Sequence, residues 1–198
     1  RDGSADKGLP PVSSLSSILR PYQQRGHAWL TARLSGGIGG ILADDMGLGK
    51  TVQILSAVAA LRSYKSEERG TPVLVVAPTS VVGVWTEQSR QFTPHLRVRG
   101  VTETATRRGT TIAQEVADAD IVVTSYTLVR LEAEQWSQVR LGGVVIDEAQ
   151  VVKNPRTATY RALRDLESPW KLAVSGTPIE NSLGDLWSLL SLTCPGLL

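Results

Sequence analysis

"ILADDMGLGKT", residues 41–51, joins a short apolar run to a glycine-framed lysine and threonine. A strand that enters such a turn and leaves it as a helix is the usual cradle for a nucleoside triphosphate. Gly47 and Gly49 let the backbone turn tightly, so that its N–H groups face into a concavity. Lys50 brings positive charge to the β- and γ-phosphates, and Thr51 a hydroxyl for magnesium. The helix that starts there adds the positive end of its dipole. One letter departs from the standard pattern, because Asp44 stands at its first glycine. A glycine-rich turn with a merely exposed lysine is spelled in the same way, so the remainder of the chain has to separate the two.

A phosphate cradle needs a carboxylate at the end of another strand, to hold magnesium and position the attacking water. "VVIDEAQ", residues 144–150, supplies it. Asp147 follows three apolar residues, where a magnesium carboxylate belongs, and Glu148 beside it can orient or deprotonate water. An exposed acidic strand end is common alone, but two such motifs in this order are not.

Bulk composition narrows the classes. With 198 residues, 41% hydrophobic and 20% charged, the chain has the makings of one globular domain. A net charge of +2 gives no whole-chain attraction to nucleic acid. The single cysteine, Cys194, excludes an internal disulfide and a multi-cysteine zinc site and points to a reducing, cytoplasmic setting. No apolar run approaches the ~18 residues of a membrane helix, and the start does not resemble a signal peptide. The chain opens at Arg1 and its one methionine is Met46, which points to an excised piece or a processed form.

Residues 1–17, rich in glycine, serine and proline, are expected to be a poorly ordered lead-in, with the domain proper over 18–198. Beyond them, strand candidates at 40–43, 73–77, 121–124, 144–146 and 172–174, with a weaker one at 96–101, alternate with helical patterns at 51–61, 81–91, 128–139, 157–166 and 183–192. The strands are near-continuous apolar runs, as expected when both faces of a sheet are covered, and the alternation predicts a parallel sheet between helices. Segments 64–71 and 102–111 read as polar surface connectors. Trp29, Trp85 and Trp187 fall on helix faces among apolar residues and are expected in the core, with Trp136 and Trp170 partly exposed. Arg97, Arg99, Arg107 and Arg108 form the densest basic cluster, read as a solvated face in preference to a DNA path. His27 and His95 lack partners at metal-ligand spacing.

Taken together, the motifs resemble the first motor lobe of superfamily-two helicases, in the SWI/SNF-type branch of DNA translocases, from residue 19 to about residue 192. "LRPYQQRG" (19–26) matches the adenine-reading motif through Gln23, and the branch carries an aspartate at the position of Asp44. "VVAPTSVVGVW" (75–85) and "VVTSY" (122–126) match segments that contact the DNA backbone. "IDEAQ" (146–150) matches the family's acidic box, and "SGTPIENSLGDLWSLL" (175–190) the coupling motif after it. The "DEAQ" spelling and "VKNP" behind it look bacterial.

The resemblance implies a three-layer α/β lobe of the RecA-like kind, with nucleotide at the carboxyl ends of a parallel sheet. It implies that ATP is held by Gln23 and by the loop Asp44, Asp45, Met46, Gly47, Leu48, Gly49, Lys50 and Thr51, and Mg2+ by Thr51 and Asp147. Lys50, Asp147, Glu148 and Gln150 would carry hydrolysis, Thr79, Ser80, Thr124 and Ser125 would meet DNA phosphates, and Ser175, Gly176 and Thr177 would couple nucleotide state to movement. From the residues alone, the serines and threonines behind strands are equally ordinary turn formers. The implied activity is ATP-dependent translocation on double-stranded DNA that remodels protein–DNA complexes. A strand-separating DNA or RNA helicase and a nucleotide-dependent binding module without turnover are the alternatives. The partner would be a C-terminal RecA-like lobe of the same polypeptide. Because no arginine follows Thr177, this stretch alone is expected to be nearly inactive.

Overall fold

The structure, a computed structural model, describes residues 8–45, 47–64, 71–177 and 183–197. Its centre is a six-stranded sheet: β1 (Gly40–Leu42), β2 (Val73–Ala77), β3 (Val98–Val101), β4 (Ile121–Ser125), β5 (Gly143–Asp147) and β6 (Lys171–Val174). Every pairing is parallel, and the spatial order is β1-β6-β5-β2-β4-β3. Around it lie α1 (Ser13–Ser16), α2 (Pro21–Ser35), α3 (Lys50–Tyr64), α4 (Thr79–Phe92), α5 (Ala105–Arg108) and α6 (Ile112–Val116). They are followed by α7 (Tyr126–Leu131), α8 (Ala133–Ser137), a 3-10 turn at Ala149–Val152, α9 (Ala158–Asp165) and α10 (Leu183–Thr193).

Strand side chains alternate between the two faces, so each apolar run feeds two cores. Val73, Val75, Ile121, Val123, Val145 and Leu172 pack on one face against Leu30 of α2, Ile54 and Val58 of α3, and Val82 and Trp85 of α4. Leu74, Val76, Val122, Val144 and Ile146 pack on the other against Val116 of α6, Val129 of α7, Trp136 of α8, Leu163 of α9 and Leu189 of α10. All residues of β2, β4 and β5 are buried, which is why these strands carry apolar runs with no polar alternation. The three-layer α/β architecture and its parallel sheet are as the sequence implies. Among the described residues no helix is long and apolar enough to cross a membrane.

The structure departs from the sequence reading in several places. From Gly8 on, the lead-in is packed: Leu15 is fully buried, and the Leu9 carbonyl accepts from His27 Nε2 at 2.8 Å. The tryptophans reverse. Trp85 is buried as expected, but Trp29 and Trp187 are 39% and 53% exposed, whereas Trp136 and Trp170 are 0% and 5% exposed. Helical spacing told which tryptophans share a face with leucines, but not that Trp170 has to cap the start of β5, where a side chain on Gly143 would collide with its ring. The helix expected over 128–139 breaks at Glu132, whose carboxylate is turned to Arg108 at 3.2 Å and to the Ala105 N–H. Arg108 lies inside the stretch 102–111, so this connector holds α5 and one partner of a buried ion pair as well as surface residues. Two more of the arginine cluster are also matched to carboxylates, Arg97 to Asp120 at 3.2 Å and Arg99 to Glu115 at 3.9 Å.

His27 fastens the lead-in to the sheet-facing helices, with Nδ1 2.9 Å from the Ser56 hydroxyl of α3 and Nε2 on Leu9. Burial holds its pKa below the ordinary 6.5, against the opposing pull of the Leu9 carbonyl. The unfolded chain therefore binds the proton more tightly, and stability falls as pH drops from about 6.5 toward the lower folded value. The stability gap between wild type and His27→Gln, measured by denaturant unfolding, should be constant above pH 7. Below pH 6.5 it should narrow, by at most ~1.4 kcal/mol per pH unit. A gap independent of pH would show that His27 does not tie down the lead-in as a neutral ring.

Candidate functional site

The strand order assembles the site. Because β6 and β5 follow β1 in space, the loop after β1, the end of β6 and the end of β5 stand side by side at the carboxyl edge. A backbone bond ties the first two, Ser175 N–H donating to the Leu42 carbonyl at 3.1 Å. In the loop, Gly47 and Gly49 adopt φ of 81° and 71°, a conformation that L side chains rarely adopt. Lys50 opens α3, and its Nζ donates to the Asp44 and Asp45 carbonyls at 2.7 and 2.9 Å.

Asp44, the residue that departs from the standard loop, has a structural task. Its carboxylate accepts from Gln53 Nε2 at 3.2 Å, and the same amide lies 3.4 Å from the Leu48 carbonyl. Gln53 is fully buried beneath Gly26, where an added Cβ would collide with the Gln53 Oε1. Gln23 braces the loop from α2: its Nε2 donates to the Leu48 carbonyl at 3.2 Å while its Oε1 accepts from Arg20 N–H. Both ends of the Gln23 amide are thus engaged within the protein. The groove beside it, ≈ 520 Å³ and lined by Tyr22, Arg25, Trp29, Ala43, Asp44 and Leu48, is of a size that takes a small-molecule ligand. Met46 lies outside the described residues.

At the end of β5, Asp147 is 8% exposed and shares the face of Val145, toward α2–α4. Its Oδ2 accepts from Trp85 Nε1 at 2.7 Å, its Oδ1 from the Glu148 N–H at 3.0 Å, and its carbonyl from the Tyr126 hydroxyl. Burial raises the Asp147 pKa, and the Trp85 bond opposes that rise; the Glu148 charge adds to it, and the Glu148 N–H and Lys50 work against it. Glu148 is the one described non-glycine residue in the left-handed region, at φ 51°. Such a backbone costs on the order of 1–3 kcal/mol and persists only where the surrounding structure holds it.

From Glu148 a line of hydrogen bonds crosses to β6. Gln150 Nε2 donates to Glu148 Oε2 at 2.7 Å, Ser175 Oγ donates to Gln150 Oε1 at 2.9 Å, and Thr177 N–H donates to Ser175 Oγ at 3.1 Å. Gly176 lies between the last two, and Lys153 extends the line, donating to the Thr177 carbonyl and pairing with Asp185 of α10 at 3.4 Å. Residues 178–182 of the coupling motif fall outside the described stretches.

The four residues expected at DNA divide. Thr79 and Ser80 are exposed at the start of α4. Thr124 and Ser125 are buried, with the Thr124 hydroxyl on the Val101 carbonyl at 2.9 Å and Ser125 capping α7 through the Leu128 N–H. Their hydroxyls are therefore not presented to a phosphate in this structure, because a strand buried on both faces turns its last polar side chains inward. The sequence reading gives Trp85 a place in the core alone, and Tyr126, Gln53 and Lys153 no role. A buried indole or phenol usually finds a partner for its polar hydrogen, the signal that bears on the first two.

Asp147 and Thr51 carry hard oxygens of the kind magnesium takes, and the described residues contain no cluster of three or more His, Cys, Asp or Glu that could hold a metal. Magnesium is typically bound through one or two protein oxygens together with nucleotide phosphates.

Comparison with known proteins agrees with this architecture. The SNF2-related domain matches residues 22–198. A Bacillus subtilis protein named as an ATP-dependent helicase/translocase is 40% identical over 185 residues, 93% of this chain and 20% of that protein. A TATA-binding protein-associated factor of Aspergillus fumigatus is 37% identical over 197 residues, 95% of this chain and 10% of that protein. The Sulfolobus solfataricus SWI2/SNF2 ATPase core in complex with dsDNA superposes with a TM-score of 0.78 at 37% identity, covering 98% of this chain and 38% of that one. The chain spans a fifth or less of these two curated relatives. With the phosphate loop, the acidic box and the coupling serine joined along one sheet edge, the chain belongs to the SNF2-related domain family, as a RecA-like ATPase lobe of the SWI2/SNF2 kind.

Proposed function

We propose that this chain is the ATP-binding lobe of an ATP-dependent translocase on double-stranded DNA, a motor that tracks the backbone and remodels protein–DNA complexes. The reading rests on the continuous line Glu148–Gln150–Ser175–Thr177, which joins the residue placed to activate water to the strand end from which a second lobe would be moved. A module that only binds nucleotide has no use for such a line. Relatives named as helicase/translocase and a dsDNA-bound neighbour support the DNA assignment.

In this reading Lys50 exchanges its loop carbonyls for phosphate oxygens, and the loop N–H groups cradle the β-phosphate. Glu148, fixed by its backbone and by Gln150, orients the attacking water. Mg2+ bound by Thr51 and Asp147 would neutralise charge developing on the transferring phosphoryl group. The base would lie in the groove beside the loop, with Gln23 holding that loop in place. Thr79 and Ser80 would meet the DNA backbone, which carries no sequence information. Arginines that complete catalysis would come from a second lobe, since the chain covers 38% of the solved SWI2/SNF2 core.

Within a two-lobe polypeptide, Lys50→Ala should abolish ATP hydrolysis. Glu148→Gln should retain ATP affinity while kcat falls ~100-fold or more. Unchanged turnover in Glu148→Gln would refute the assignment of water activation.

Binding of this chain to duplex DNA should be independent of sequence and should weaken steeply with salt, since neutralised phosphates release counterions. Titrations of two unrelated duplexes at several salt concentrations check this, and a clear sequence preference would count against backbone tracking. The 198-residue chain alone should hydrolyse ATP at close to background rate with or without duplex, and joining it to a second lobe should restore DNA-stimulated turnover. Robust stimulated hydrolysis by the chain alone would overturn the two-lobe requirement. Stimulation by single strands only would favour a strand-separating helicase.

A further inference from the structure

Asp147 is the only site residue reached by a side chain from the helix that begins at the exposed Thr79–Ser80 segment, among the described residues. That helix, α4, leaves the carboxyl end of β2, the strand next to β5. Six residues in, about 9 Å along the axis, Trp85 points back under the sheet edge and donates to Asp147 Oδ2 at 2.7 Å. Both partners are buried, Trp85 at 1% and Asp147 at 8% exposure, so water does not compete strongly for the bond. The backbone of Asp147 is held independently, because the Tyr126 hydroxyl donates to its carbonyl from α7. With the β5 end held in this way, a shift or rotation of α4 that keeps the indole bond turns the Asp147 carboxylate.

We infer that Trp85 is a positioning residue that couples contact of α4 with the DNA backbone to the carboxylate of Asp147. The inference rests on the DNA reading above and deepens it, by naming the bond through which the polynucleotide alters the nucleotide site. Occupancy at Thr79–Ser80 moves a rigid helix, the indole N–H moves with it, and one oxygen of the carboxylate follows. The other oxygen stays on the Glu148 N–H, so the motion is a pivot about that bond. Binding linkage then requires the reverse effect of equal size, nucleotide altering affinity for DNA.

Two measurements on this chain test it. In the first, the indole Nε1–H resonance of Trp85, assigned through its backbone, is followed while a mixed-sequence duplex of about 20 base pairs is added at low salt without nucleotide. It should shift or broaden, whereas a tryptophan that only fills the core would not respond. In the second, the affinity for a magnesium-bound, non-hydrolysable ATP analogue is measured with and without saturating duplex, for wild type and Trp85→Phe. Phenylalanine keeps an aromatic ring in the core and removes the donor. Duplex should change the wild-type affinity by roughly fivefold or more, and Trp85→Phe should bring that factor to below about twofold while still binding DNA. A silent indole resonance on a DNA-bound chain, or a wild-type coupling factor retained in Trp85→Phe, overturns the relay but leaves the DNA-binding lobe standing. Failure of the wild-type chain to bind any duplex overturns the DNA reading and the relay with it.

Discussion

The position of β5 between β6 and β2 is the constraint on which the site depends. A parallel sheet sends all of its strand ends to one edge, and the order along that edge decides which loops can touch. With β6 inserted beside β1, the phosphate loop is tied to the coupling strand through the Leu42 carbonyl and the Ser175 N–H. With β5 next, Glu148 stands one side-chain hydrogen bond from Gln150 and two from Ser175. On the far side of β5, β2 delivers α4 and the indole that holds Asp147. A sheet wound in plain sequence order would set β2 beside β1 and separate the loop from the acidic box by several strands.

The same constraint explains the polar chemistry inside an otherwise apolar lobe. Asp147 sits where burial favours the protonated acid, yet three contributions run the other way: the Trp85 and Glu148 N–H donors and the nearby Lys50 charge. The carboxylate is thus held by fixed dipoles in place of mobile water. Such a group reorganises little when charge develops beside it, which is the property a phosphoryl-transfer site requires. Glu148 reaches its place through a left-handed backbone, a strain that persists because the strand before it and the 3-10 turn after it are both packed, with Ile146 and Ala149 fully buried.

Much of this was legible in the sequence, for definite reasons. Apolar runs such as 73–77 and 144–146 announce strands covered on both faces, and glycines beside a lysine announce a loop that must turn with positive φ. Both signals are local. Strand order, the break at Glu132 and the fate of the tryptophans depend on residues far apart in the chain, and no periodicity reports them. Asp44 shows the difference clearly. As a letter it departs from the standard loop, and the family resemblance says that the branch carries an aspartate there without giving the reason. The reason is a bond to Gln53, nine residues on, in a space kept open by Gly26 of another helix. Thr124 and Ser125 fail in the opposite sense: a motif that fits DNA contact ends on a strand whose residues are all buried, so their hydroxyls turn inward.

Lys50 shows how far the loop is prepared for an anion. Two of the three ammonium donors are engaged by the Asp44 and Asp45 carbonyls, at 2.7 and 2.9 Å. These are bonds from a cation to neutral acceptors. A phosphate oxygen offers the same donors a full negative charge, so the attraction becomes one between two charges in place of a charge and a carbonyl dipole. The exchange of carbonyl for phosphate would therefore run toward the nucleotide, and among the described residues no ion pair to Lys50 has to break first. It also frees the two carbonyls that flank the turn while Gln53 and Gln23 keep the loop anchored from outside, through Asp44 and Leu48. In the proposed reading, Gln53 and Gln23 brace the loop from outside while Lys50 closes it, so nucleotide would enter by displacing a single side chain.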